Sequence, residues 1–151
     1  MIEGVLIKEL KIEANERGYS IAVMNCDEDV FVGFGDLHLS AAYPGVVKAW
    51  HKHERKSENV LCAQGMAKLV LFDPRENSSS RGELMQVFLG EHKPLLVRIP
   101  PGVYHGYKCV SDREAVLLVI SDKPYDRDNP DIETLSPDSV EIPYDWKIKM
   151  G

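Results

Sequence analysis

Gly45-Val46-Val47-Lys48-Ala49-Trp50-His51-Lys52-His53-Glu54-Arg55-Lys56-Ser57-Glu58-Asn59-Val60-Leu61-Cys62-Ala63-Gln64-Gly65 is the stretch that decides the fold. Side chains alternate across a β-strand, so His51 and His53 point to one face and form a site rather than a surface decoration. A glycine before the pair and another after Glu58 suit the tight turns that join successive antiparallel strands. Downstream, Pro100, Gly102 and His105 make the pattern P-x-G-x-x-H. If both runs lie on strands of one barrel, three histidines and one glutamate converge on a single pocket.

Outward from this stretch the chain reads as short strands rich in β-branched and aliphatic residues. Candidates are Val5 to Ile12 (with a bulge that keeps Val5, Ile7, Leu10 and Ile12 on one side), Tyr19 to Met24, Val46 to His53, Asn59 to Ala63 and Met66 to Phe72. Leu84 to Leu89, Leu95 to Ile99, Gly106 to Val110 and Ala115 to Ser121 follow. Turn signals such as Tyr43-Pro44-Gly45, Gln64-Gly65, Asp73-Pro74 and Pro100-Pro101-Gly102 separate them. Many short strands with regular punctuation predict an all-β sandwich or barrel. Asp27 to Phe34 reads as about two helical turns used as a connector. Asn77 to Gly82 reads as an exposed loop. Beyond Asp122 the prolines exclude long regular structure, yet Tyr125, Ile132, Leu135, Ile142, Tyr144 and Trp146 are too apolar for a free tail. This segment is expected to wrap over the barrel and close the pocket.

A length of 151 residues predicts one domain, 1–151, and 44% hydrophobic with 28% charged residues is the balance of a soluble globular protein. The apolar runs are strand-length, which excludes a membrane-spanning helix, and no secretory signal opens the chain, so a cytoplasmic location is expected. Cys26, Cys62 and Cys109 have no paired spacing and read as reduced thiols. A net charge of -6 argues against a nucleic-acid surface. Lys48, Lys52, Arg55 and Lys56 around the histidine pair can still hold a small anion such as a diphosphate.

Two chemistries fit the cluster. A set of His51, His53, Glu58 and His105 suits a divalent transition metal and leaves positions for water or substrate. Alternatively His51, partly desolvated with Glu58 nearby, is a proton-abstracting base, and Tyr104 or Tyr125 supplies an acid from the opposite side of the substrate.

The spacing G-x5-H-x-H-x4-E-x6-G, followed by the second pattern, resembles the two signature motifs of the cupin superfamily, which implies a jelly-roll barrel with an irregular C-terminal covering segment. The second motif is partial: Pro94 stands at its glycine and Cys109 at its asparagine. More narrowly, Glu16-Arg17-Gly18, Tyr43-Pro44-Gly45-Val46-Val47-Lys48-Ala49-Trp50-His51 and Ile99-Pro100-Pro101-Gly102-Val103-Tyr104-His105-Gly106-Tyr107 resemble the dTDP-4-dehydrorhamnose 3,5-epimerase family. Asn129-Pro130-Asp131 and Ile142-Pro143-Tyr144-Asp145-Trp146 extend the likeness loosely.

That resemblance implies an epimerase or isomerase of a nucleotide-linked 4-keto-6-deoxysugar in deoxysugar and polysaccharide biosynthesis, working as a homodimer without a cofactor. It implies His51 as the base and Tyr125 as the acid. Arg17, reaching across the dimer, and Lys48 would contact the diphosphate; His53 and Glu58 would neighbour the base, and His105 would stand at the pocket mouth. Two departures stand out. The family's enolate-stabilising lysine falls near Glu58, where the charge is reversed, and its histidine-supporting aspartate belongs to a C-terminal segment not found here. The pair His51-x-His53 also resembles dTDP-sugar 3,4-ketoisomerases. A metal on all four ligands would occupy His51 and remove the base, so the metal reading and the proton-transfer reading compete.

Overall fold

The computed structural model describes residues 1–150; the expected domain of 1–151 extends to Gly151, which lies outside the described residues. Twelve strands form among the described residues and no helix, so the chain is all-β. One sheet holds β1 (Leu6–Glu9), β9 (Leu95–Ile99), β6 (Glu58–Gln64), β11 (Ala115–Ser121) and β4 (Asp36–Ala42), in that order. The other holds β12 (Glu133–Thr134), β5 (Val47–Lys52), β10 (Tyr104–Cys109), β7 (Met66–Phe72) and β8 (Leu84–Gly90). All neighbours pair antiparallel, and β2 (Ile12–Asn15) with β3 (Gly18–Ile21) makes a separate two-stranded ribbon. Two sheets closed over a shared core make the jelly roll that the resemblance to the cupin motifs implies, within the sandwich-or-barrel class that the turn spacing predicts.

The core follows from alternation. Along β11, Ala115, Leu117, Val119 and Ser121 are buried while the residues between them are half-buried, as a strand with one face on the core requires. Leu69, Leu71, Val87, Leu89 and Val97 meet them from the other strands. β7 is buried almost throughout because both of its faces are covered. Its Val70 packs outward with Trp50, Tyr104, Ile142 and Trp146 in a second cluster that the C-terminal segment completes. The segment beyond β11 therefore covers the barrel as its apolar residues demand. Leu135 exchanges backbone hydrogen bonds with Trp50 at 2.8 and 3.1 Å, and Lys108 donates to the Trp146 carbonyl at 2.8 Å.

Two glycines carry geometry that no other residue supplies. Gly65 turns the chain from β6 into β7 at φ +68°, and a Cβ there would lie 2.5 Å from the Glu114 carbonyl oxygen. Gly106 lets β10 press on β5, where a Cβ would lie 2.3 Å from that of Ala49. Across this contact His105 stands opposite His51, and the register then shifts before Tyr107 meets Lys48.

Four expectations need correction. Asp27 to Phe34 is not helical: it makes single turns, because Glu28 is drawn into an ion pair with Lys8 at 2.6 Å and Val30 is anchored beside Leu10 and Leu96. Val5 to Ile12 is two strands rather than one bulged strand. The chain leaves the sheet after Glu9, Leu10 donates to the Pro94 carbonyl, and Ile12 enters the ribbon exposed. The loop Asn77 to Gly82 is tied down at Ser80, which is buried and donates to the Asp73 carboxylate at 2.6 Å. Strand β4 was not foreseen, because its apolar residues Leu37 and Leu39 are exposed while Ser40 turns inward to the Tyr107 hydroxyl at 2.7 Å.

Trp146 fills the outer cluster with its ring centroid 5.0 Å from that of Trp50. Trp146→Ala is expected to destabilise the fold by about 3 kcal/mol, the low end for truncating a buried aromatic residue. The check is a lowered urea midpoint with an unchanged denaturant slope.

Candidate active site

Between the sheets lies a cavity of about 960 Å³. Trp50 and His51 are neighbours on β5, and alternation sends the indole outward to the covering segment and the imidazole inward to the cavity. His53, just past the end of β5, and His105 on β10 also line it, with Glu58 at the start of β6. The two sequence runs do converge.

Glu58 is the meeting point. Its Oε1 lies 3.2 Å from His53 Nε2 and its Oε2 lies 3.1 Å from His105 Nε2, and the carboxylate is 4% exposed. Lys56 Nζ stands 3.7 Å from Oε1, and Ser121 Oγ donates weakly to the same oxygen at 3.4 Å. Burial would raise the Glu58 carboxyl, but hydrogen bonds from His105 and His53 outweigh it and hold the group far below the usual carboxylate range.

On its other side His53 Nδ1 donates to the Asp131 carbonyl in a short hydrogen bond. Both neighbours of this ring are acceptors, so the ring is matched when both nitrogens carry protons. Burial pulls the His53 pKa down, yet the hydrogen bond and charge of Glu58 prevail and it ends raised. Asp131 also holds the loop after His53, its carboxylate accepting from the Glu54 and Arg55 amides at 2.9 Å each.

His51 is set apart. Its ring centroid is 6.3 Å from that of His105, and it has no contact with Glu58 at hydrogen-bond distance. Burial, then the proximity of His105 and His53, pushes its pKa below the ordinary imidazole value. The arrangement therefore separates two imidazoles of one strand run: His53 favoured as a cation, His51 favoured as a free base.

Of the four residues expected as metal ligands, His53, Glu58 and His105 offer ligand atoms within 4.8 Å of one another, and His51 falls outside that group. Lys48 and Tyr125 line the cavity, Tyr125 from the segment after β11 and largely exposed. Arg17 does not line it: this residue sits at the exposed tip of the β2–β3 ribbon. Lys52 leaves the expected cation group, because it faces outward and pairs with Glu54 at 2.8 Å and Glu133 at 2.9 Å. Tyr104 also faces outward, in a short hydrogen bond to Glu133. Burial and that carboxylate push its pKa to about 12, and it does not line the cavity.

Sequence reading missed Ser40 and Tyr107 as a hydroxyl pair in the cavity wall, Lys123 at its rim, and the structural task of Asp131. Asn129-Pro130-Asp131 did carry a signal, a turn dipeptide followed by a carboxylate, but nothing local says which histidine it serves.

The sequence profile of the family described as dTDP-4-dehydrorhamnose 3,5-epimerase matches residues 1–150. The spore coat polysaccharide biosynthesis protein SpsL of Bacillus subtilis is 34% identical over 149 residues, covering 99% of this chain and 99% of its own length. A probable low-salt glycan biosynthesis epimerase, Agl13 of Haloferax volcanii, is 34% identical over 151 residues, 99% of this chain and 97% of its own. The crystal structure of a dTDP sugar isomerase from Desulfovibrio desulfuricans superposes with a TM-score of 0.90 at 32% identity, covering 96% of this chain and 92% of that one.

Glu58→Gln leaves His53 and Lys56 without their anion, and breaking a buried pair in this way is expected to cost about 3–5 kcal/mol. The depressed Glu58 pKa adds stability above the ordinary carboxyl value of 4.5, and that part is lost as pH falls through the depressed value. The raised His53 pKa adds stability below the ordinary imidazole value of 6.5, and that part is lost as pH rises through the raised value. Denaturant titrations should therefore show the widest gap between wild type and variant in the interval between 4.5 and 6.5, narrowing at higher pH. A gap constant across pH contradicts the pairing.

Proposed function

This chain belongs to the dTDP-4-dehydrorhamnose 3,5-epimerase family, and on that basis we propose that it epimerises or isomerises a nucleotide-linked 4-keto-6-deoxysugar with His51 as the base. The observation that carries the assignment of the base is the division among His51, His53 and His105, three of the imidazoles that line the cavity. His53 and His105 are tied to Glu58, whereas His51 is kept unpaired with a lowered pKa. A base must be deprotonated at the working pH, and burial with two imidazoles nearby keeps it so.

The reaction follows from the acidity of a C–H bond beside a ketone. His51 takes that proton, the electron pair of the bond forms a carbon–carbon double bond, and the carbonyl pair moves to oxygen as an enolate. Delivery of a proton to the other face inverts the centre; delivery to the former carbonyl carbon, with the neighbouring hydroxyl proton passing to the enolate oxygen, moves the carbonyl. Tyr125, on the cavity wall, is the proposed acid. The step is redox-neutral, so substrate and protein supply every atom and electron.

Lys48 is the proposed diphosphate contact from within the cavity. Arg17 serves as the second contact from a partner protomer, since it stands away from its own cavity. A homodimer has support in β4, an edge strand with Leu37 and Leu39 exposed, and in Tyr19, exposed on the ribbon. The free thiols Cys26, Cys62 and Cys109 support a cytosolic setting, and no helix is long and apolar enough to cross a membrane. The roles named for the Bacillus and Haloferax relatives support a product destined for a polysaccharide or glycan.

A second reading keeps its own observation: the convergence of His53, Glu58 and His105 ligand atoms within 4.8 Å. These three residues would hold a divalent transition metal, which when bound would polarise a carbonyl. Elemental analysis of untagged protein decides it. A stoichiometric metal that disappears in His53→Ala supports this reading, and a metal-free active protein rejects it.

Wild type incubated in deuterated water with a dTDP-4-keto-6-deoxysugar is expected to place deuterium beside the ketone, read by mass spectrometry. His51→Asn should slow that exchange by about 10²–10⁴-fold, the usual share of a general base, with dTDP binding retained. The acid limb of the rate profile should fall below pH 6.5, the ordinary imidazole value, because the lowered His51 pKa keeps the base form until the solution is more acidic. An acid limb above that value contradicts His51 as the base.

A further inference from the structure

An enolate places a full negative charge on the former ketone oxygen, and a site that makes one needs a cation or donors aimed at that atom. Besides His53, whose two ring nitrogens are spent on Glu58 and the Asp131 carbonyl, four lysine and arginine side chains line the cavity: Lys48, Arg55, Lys56 and Lys123. Three of them are engaged elsewhere or held in solvent. Arg55 donates to the Asn129 carbonyl at 2.9 Å and leans on Asp131. Lys123 donates to the Arg55 carbonyl. Lys48 is exposed and reaches only Ser40, at 3.5 Å.

Lys56 differs from all three. Its side chain is 9% exposed, and the ammonium has one anionic neighbour at ion-pair distance, Glu58 Oε1, at 3.7 Å. That separation is too long for a hydrogen bond, and none of its three N–H donors finds an acceptor at hydrogen-bond distance among the described residues. An ammonium on the cavity wall whose donors are not spent on the protein is free to meet a negatively charged group that enters the cavity. Glu58 keeps it there without consuming those donors, because both carboxylate oxygens already accept from His53 and His105.

We propose that Lys56 is the electrophile of the reaction, its ammonium receiving the oxyanion that forms at the sugar's ketone oxygen, with Glu58 as the positioning residue. This rests on the proton-abstraction reading of the site. In the step, His51 breaks the C–H bond and keeps the proton, the ketone oxygen takes the displaced electron pair, and Lys56 binds that oxygen through N–H donors without giving up a proton. Reprotonation of carbon returns the pair and frees the ammonium. The reversed charge at Glu58 thus becomes intelligible: the cation comes from two residues earlier in the chain, and the carboxylate at 58 holds it.

The test measures solvent-deuterium incorporation at saturating dTDP-4-keto-6-deoxysugar, beside dTDP affinity by calorimetry and folding by circular dichroism, for wild type, Lys56→Met and Lys56→Arg. Lys56→Met is expected to exchange about 10²–10³-fold more slowly, the loss seen when one oxyanion donor is removed, with dTDP affinity unchanged. Lys56→Arg, which keeps the charge, should recover part of the rate. If Met unfolds the chain, Lys56→Gln takes its place in the same comparison. A folded Met or Gln variant that exchanges at the wild-type rate overturns the assignment, and so does one whose loss lies in nucleotide affinity with turnover intact. Wild type that exchanges with none of these sugars sinks the reaction itself together with Lys56, whereas exchange equal in wild type and variant sinks Lys56 alone.

Discussion

One carboxylate shared by two imidazoles organises this protein. Glu58 lies at the start of β6, His53 just beyond β5 and His105 near the start of β10, so the contact ties the two sheets together. A buried carboxylate without partners would take up a proton rather than stay charged. With His53 and His105 against its two oxygens it remains an anion, and that anion in turn raises the His53 pKa and pairs with Lys56 in the cavity wall. His51 is left outside this group, and burial first, then the proximity of His105 and His53, lowers its pKa. Charge is thus sorted by geometry before any ligand arrives.

The sorting depends on what lies behind the strands. β5 and β10 carry catalytic candidates on one face and aromatic residues on the other, with Trp50 and Tyr104 sealed by Ile142 and Trp146. The C-terminal segment therefore acts twice. Its Asp131 carbonyl and carboxylate fix His53 and the loop that follows, and its later residues back the strand that presents His51. Polar residues can line the cavity because the apolar surface that stabilises these strands has been moved to the outside of the sheet.

Much of this was legible in the residues. Strand alternation and turn chemistry are local rules and predicted an all-β sandwich or barrel; the resemblance of the His51, His53, Glu58 and Pro100, Gly102, His105 runs to the cupin motifs narrowed this to a barrel with one shared pocket. What failed was also physical. β4 escaped notice because Leu37 and Leu39 point outward and Ser40 inward, the reverse of the pattern that marks a buried strand. Lys52 and Tyr104 looked like site residues by proximity in sequence, but each sits one step out of phase with the inward histidines and turns to the opposite face. The partnership of Asp131 with His53 spans 78 residues and leaves no periodic trace.

The central claim is that contact with Glu58 raises one imidazole of a short run while burial lowers the other. Nitrogen-15 NMR of the histidine side chains through a pH titration reads this directly. The account predicts that His53 titrates above the ordinary imidazole value of 6.5 and His51 below it, and that the separation collapses in Glu58→Gln. Finding His51 charged while His53 is neutral at the same pH would contradict it.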